Sequence, residues 1–168
     1  MFGHSVRMAA CGLLVLLATG NVSPILVDDP VDSSFGAIMP AVFKPPKPEF
    51  TRVMYAAATI KTVDKQIDKC RGPIAVNLGS SRPVLVAEHD YCGGSAWISK
   101  LESGAAVRLS GPGVDDGLYV TAELKTVPRD GNATVRDLPQ TDVVLQTCIS
   151  RTEMVLVGLT KFYTEESR

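Results

Sequence analysis

Apolar residues along this chain come in short runs, each of strand length, separated by clusters of glycine, proline, serine, asparagine and aspartate. Residues 53–59, 74–78, 84–89, 106–110, 118–124, 143–148 and 154–160 read as strands, and the stretches "GSSRP", "GPGVDDG" and "PRDGN" between them carry the residues that tight turns require. One short helix interrupts the series. Ser95 is placed to cap it, "AWISKLES" puts Ile98 and Leu101 on one side, and Gly104 ends it. The pattern predicts a mostly β architecture, a twisted sheet or closed barrel with one or two short helices.

Composition agrees with this and narrows the size. The chain has 168 residues, 45% hydrophobic and 21% charged, enough for one core. Net charge is −1, from 17 basic and 18 acidic side chains spread along the sequence, so no footprint for nucleic acid stands out.

The first residues change the picture of where the domain works. Arg7 precedes an uncharged run from Met8 to Val27, and Asp28 and Asp29 follow it. The strongly apolar part ends at Ala18-Thr19-Gly20, small residues suited to signal cleavage. The whole run also has the length of a helix that just crosses ~30 Å of hydrocarbon, with Arg7 on the inner side. Residues 1–27 are therefore read as a signal peptide or an N-terminal membrane anchor, and both place the domain outside the cytoplasm. Residues 28–50, with Pro30, Pro40, Pro45, Pro46 and Pro48, form a proline-rich linker that cannot be helical. The β domain is expected over 51–162, followed by a polar tail at 163–168.

Past the leader the chain has three cysteines, Cys70, Cys92 and Cys148, and a single histidine, His89. His89 closes one apolar run and Cys148 another. A thiolate is the nucleophilic form of cysteine, and a nearby imidazole that takes its proton sustains it at neutral pH. Alternation in 143–148 sets Val143, Leu145 and Thr147 on one face and Val144, Gln146 and Cys148 on the other, so a core at Leu145 turns Cys148 toward a surface groove. Arg151, three residues on, offers a guanidinium to an oxyanion forming on a carbonyl under attack.

The order of histidine, cysteine within Leu145-Gln146-Thr147-Cys148, and then arginine resembles the sortase family of cysteine transpeptidases. "PVLVAEHDYCGGSAWISKLESGAAVRLSG" is similar to the family's strand, histidine, loop, short helix and following strand. "DVVLQTCISRTEMVLVGL" is similar to its cysteine strand and return strand. The resemblance implies a sortase-like β-barrel in which Cys148 is the nucleophile, His89 the proton carrier and Arg151 the oxyanion support. It further implies two partners, a sorting-signal peptide of a surface protein and an amine acceptor such as a cell-wall precursor or a protein lysine. No cofactor is implied. With Cys148 as nucleophile, Cys70 and Cys92 are left as the disulfide pair. The chain departs from the family's usual pattern at Glu88, where glycine is common, at Val144, where threonine is common, and in the very short link from Cys148 to Arg151.

Other readings of the same residues stand beside this one. Three cysteines permit three single bridges, two of which would consume Cys148. Cys70, Cys92, Cys148 and His89 also compose a three-cysteine, one-histidine zinc set, although only His89 and Cys92 form a close pair. A non-catalytic exported barrel that binds at a cell surface, and a cysteine peptidase that only hydrolyses, fit the same layout. Leu138-Pro139-Gln140-Thr141 imitates an LPxT sorting signal, but Asp142 follows and no apolar tail does, so these residues are read as a loop. Asn132-Ala133-Thr134 matches a glycosylation acceptor, a short and common pattern.

Overall fold

A computed structural model describes residues 44–79, 82–130 and 134–163. The leader at 1–27, most of the linker, Asn132 and Ala133 of the acceptor pattern, and most of the polar tail lie outside the described residues. The fold is mostly β, as the pattern predicts. Eight strands, β1 (Phe50–Val53), β2 (Ala56–Thr59), β3 (Ile74–Asn77), β4 (Val84–Ala87), β5 (Ala106–Ser110), β6 (Gly117–Pro128), β7 (Val143–Cys148) and β8 (Glu153–Lys161), form one sheet. Among the described residues there are also two short helices, α1 (Val63–Ile67) and α2 (Gly94–Trp97), and three 3-10 turns.

The strand order is β1-β5-β6-β8-β7-β4-β3-β2, which puts β1 and β2 at opposite edges. Laid flat, eight strands at ~4.8 Å spacing would hold these edges ~34 Å apart. Val53 and Ala56, however, are three residues apart in the chain, a reach of at most ~11 Å. The sheet must therefore curl until its edges nearly meet. Where the sequence pattern predicts one strand over 53–59, the chain hands over at Met54 and Tyr55 from pairing with β5 to pairing with β3. Met54 N donates to Ser110 O at 2.8 Å, and Tyr55 N donates to Pro73 O at 2.8 Å. Gly111, at φ +102°, permits this: a Cβ there would stand 3.0 Å from both Met54 N and Met54 O.

Curling gives the sheet two buried faces. On one, Val86, Val107, Leu109, Tyr119, Val143, Leu145, Val157 and Leu159 pack around Trp97 and Ile98 of the helical segment after β4. On the other, Ile74, Val76, Leu85, Val144, Met154 and Leu156 are covered by Val63 of α1 and by Leu138. Strand β7 lies between β4 and β8, and all six of its residues are buried. Leu138 and Pro139 are themselves buried, and Pro139 fills the space beside Gly158, its Cβ 2.6 Å from where a Gly158 side chain would begin. The LPQT imitation is thus a packed loop.

Local sequence explains the remaining differences from the pattern. Helix α1 was not expected; it is one turn long, its Thr62 makes no side-chain cap, and burial of Val63 fixes it. Gly93, not Ser95, occupies the cap position of α2, while Ser95 Oγ donates to Asp90 O at 3.0 Å. Strand β6 runs on past Leu124 to Pro128 because β8 pairs with it throughout, across a register shift between Thr121 and Glu123.

Candidate functional site

The site is built by register. In the parallel β4–β7 pair, Ala87 is the partner of Gln146, and Glu88 N extends the ladder to Gln146 O at 3.2 Å. His89 and Cys148 are each two residues further on, so His89 just past the end of β4 and Cys148 at the last position of β7 lie at the same end of the sheet, on neighbouring strands. They line one cavity of about 20 Å³ with Val63, Asp64 and Ile67 of α1 and with Glu88, Gln146 and Thr147. That is room for about one water molecule. Cys148 is 1% exposed: the face expected to carry a groove is covered by α1.

His89 is buried at 3% exposure and is held on two sides. Its Nε2 lies 3.0 Å from Asp68 Oδ1, and its ring stacks on Tyr91 with centroids 4.7 Å apart. A carboxylate only accepts hydrogen bonds, so Nε2 carries a proton, and in the neutral ring Nδ1 is left as acceptor. Burial first, then the charges of Asp68 and Asp90, raise the Tyr91 phenol above its usual value. Sequence reading missed Asp68, which lies 21 residues from His89 with no pattern linking them. The signal that existed was indirect: Asp68 stands two positions before Cys70.

Cys70 and Cys92 form a disulfide, the pairing implied by the resemblance. It removes both sulfurs from the three-cysteine zinc set, and among the described residues no cluster of three or more His, Cys, Asp and Glu is placed to hold a metal ion. Cys148 is disulfide-bonded as well.

Glu88, adjacent to His89, is buried with its carboxyl turned to the tryptophan: Trp97 Nε1 donates to Glu88 Oε2 at 2.6 Å. Burial raises its pKa, opposed by that hydrogen bond and by Arg52. Arg52 lies over the Trp97 ring, 5.2 Å from its centroid. The paired glycines of "YCGGSAW" have a steric reason here. A Cβ on Gly94 would meet Thr147 Oγ1, Glu88 O at 2.6 Å and His89 O at 2.9 Å. Only glycine lets α2 press against the ends of both β4 and β7. Among the described residues Gln146 Oε1 and Thr147 Oγ1 have no hydrogen-bond partner, and both residues line the cavity beside Cys148.

Arg151 is exposed in the β7–β8 turn and does not line the cavity. The turn is tied by Ser150 Oγ, which accepts from Thr152 N at 3.2 Å and Glu153 N at 3.0 Å. A second guanidinium lies at this end of the sheet. Cys148 pairs with Met154, and Met154 with Val127, so β6, one strand beyond β8, ends at the same end of the sheet and brings Arg129 against the β7–β8 turn, where its N–H donates to Thr152 O at 2.9 Å. Arg129 Nη1 donates to Ser150 O at 3.3 Å, and its charge acts on Tyr91. Ending β6 at Leu124 on the sequence pattern hid this residue.

No family model, curated protein or solved structure matches this chain.

Proposed function

We propose that the protein is an extracytoplasmic, sortase-like cysteine transpeptidase. It would cleave a sorting-signal peptide through a thioester at Cys148 and transfer it to an amine acceptor. The observation that carries this reading is the β4–β7 register, which brings His89 and Cys148 into one cavity. The Cys148 thiolate attacks the scissile carbonyl, and a guanidinium at the β7–β8 turn, Arg151 or Arg129, supports the oxyanion. The carbon–nitrogen bond breaks as His89 gives its proton to the leaving amine, and the thioester remains. An incoming amine, from a cell-wall precursor or a protein lysine, then attacks, returns a proton to His89 and releases the thiolate.

The reading requires two changes from the described state. The disulfide at Cys148 must be opened by thiol–disulfide exchange, with a dithiol supplying two electrons and becoming a disulfide itself. The wall formed by α1 must give way to admit a peptide, because about 20 Å³ does not hold one.

The disulfide state of Cys148 favours a second reading, a non-catalytic exported β shell that binds at a cell surface. Mass spectrometry of the dithiol-reduced protein with a library of LPxT-type peptides separates the two. The transpeptidase gives a Cys148-linked acyl species that Cys148→Ser abolishes, and added amine converts it to a transfer product. A reduced, alkylatable Cys148 that never acylates leaves the binding shell. Acylation followed by hydrolysis alone, indifferent to amine, identifies a peptidase.

A further inference from the structure

We infer that Asp68 is a positioning residue for His89, fixing the tautomer that leaves Nδ1 as proton acceptor, and that the Cys70–Cys92 disulfide holds it in place. The inference rests on the transpeptidase reading for its purpose, though not for its test. Two links join the same two chain segments. Asp68 meets His89 at 3.0 Å, and two residues after Asp68 and three after His89 the segments are bonded covalently. The closed ring is small, so neither segment can slide past the other.

Each side of this ring is fixed by its own backbone. Cys70 adopts φ +50°, a left-handed conformation unusual for a residue with a side chain, and its N–H donates to Ile67 O at 3.2 Å. Cys92 N donates to His89 O at 3.1 Å, turning the chain so that the sulfur faces Cys70 and Tyr91 lies on the imidazole. The Asp68 backbone N–H donates to Asp64 O at 3.3 Å, but its side chain is 57% exposed. An exposed carboxylate at the end of a one-turn helix does not by itself keep a fixed contact with a buried ring, because exposed ion pairs are weak and the side chain is free to swing into solvent. The covalent link two residues away restricts the segment and makes the contact persistent. A fixed tautomer is what a proton carrier needs, since a ring turned over or protonated on the wrong nitrogen cannot accept from the thiol.

The experiment is nitrogen-15 NMR of the imidazole in the full-length protein, with His89 assigned by comparison with His89→Gln. The oxidised wild type is expected to show one tautomer, protonated at Nε2. Asp68→Ala is expected to show both tautomers in exchange, and Asp68→Asn, whose Oδ1 still accepts, to restore the single form. A Cys70→Ser/Cys92→Ser protein is expected to behave as Asp68→Ala; should it fail to fold, selective reduction of this bridge in folded protein gives the same comparison. An Asp68→Ala spectrum identical to wild type overturns the role of Asp68, and a single tautomer without the disulfide overturns the role of the clasp. In the acylation assay, Asp68→Ala is expected to lose roughly 10²-fold in rate with the peptide KM unchanged. Absence of acylation in every protein, with the tautomer shift intact, defeats the transpeptidase reading and leaves the positioning role standing.

Discussion

Trp97 Nε1 donates to Glu88 Oε2 at 2.6 Å, so the only tryptophan in the chain is anchored to the carboxylate next to His89. One hydrogen bond thereby ties α2 to the end of β4. It holds a carboxyl group in a place where burial disfavours its charge.

That burial gives a pH dependence with a definite sign. The Glu88 carboxyl is raised above its ordinary value of 4.5, chiefly by desolvation. The folded protein therefore binds this proton more tightly than the unfolded chain does. Its contribution is fully present below pH 4.5 and is lost as pH rises through the raised folded value. Glu88→Gln keeps the acceptor for Trp97 and removes the charge. Urea unfolding at several pH values is expected to show wild type losing stability relative to Glu88→Gln as pH rises from 4.5. A constant difference between the two across that range would contradict the assignment.

Gly94→Ala is expected to destabilise the protein by about 2 kcal/mol or more, because the new methyl meets Glu88 O at 2.6 Å and His89 O at 2.9 Å. Backbone carbonyls at a strand end cannot rotate away as a flexible side chain can. Gly104→Ala is the control, since nothing lies within 4 Å of its Cβ position, although its φ of +83° carries a backbone cost. Denaturant midpoints for the two variants decide whether close approach or turn conformation dominates.

Loss of the Cys70–Cys92 bridge, with a sequence separation of 22, is expected to cost about 3 kcal/mol. Thermal unfolding of Cys70→Ser/Cys92→Ser against wild type, both without reductant, measures it. A change near zero would mean that the bridge only positions local groups and hardly restricts the unfolded chain.

Arg52→Ala is expected to cost about 1 kcal/mol and to shift Trp97 emission, because the guanidinium lies 5.2 Å from the Trp97 ring centroid and 5.6 Å from that of Phe50. Arg52→Lys is expected to recover little of this, since an ammonium cannot stack as a planar guanidinium does. Fluorescence combined with chemical denaturation reads both effects on one sample.

The sequence by itself determined most of the strands, and it set His89 just past β4 and Cys148 at the end of β7. Short apolar runs bounded by turn residues are local features, and His89 and Cys148 stand at the ends of such runs. The Cys70–Cys92 pair was expected on the condition that Cys148 is a free nucleophile; the pair is present, whereas Cys148 is itself disulfide-bonded. What only the tertiary structure decided is what those residues face. Alternation assigned Cys148 to a face but could not say that α1 covers it, because coverage depends on a segment some 80 residues away. Asp68 meets His89 by a hydrogen bond beside the Cys70–Cys92 bridge, and Arg129 arrives through the pairing of β6 with β8. Side-chain pattern fixes the direction of a residue from its nearest neighbours, whereas its partner is fixed by strand order and curl, which depend on contacts along the whole chain.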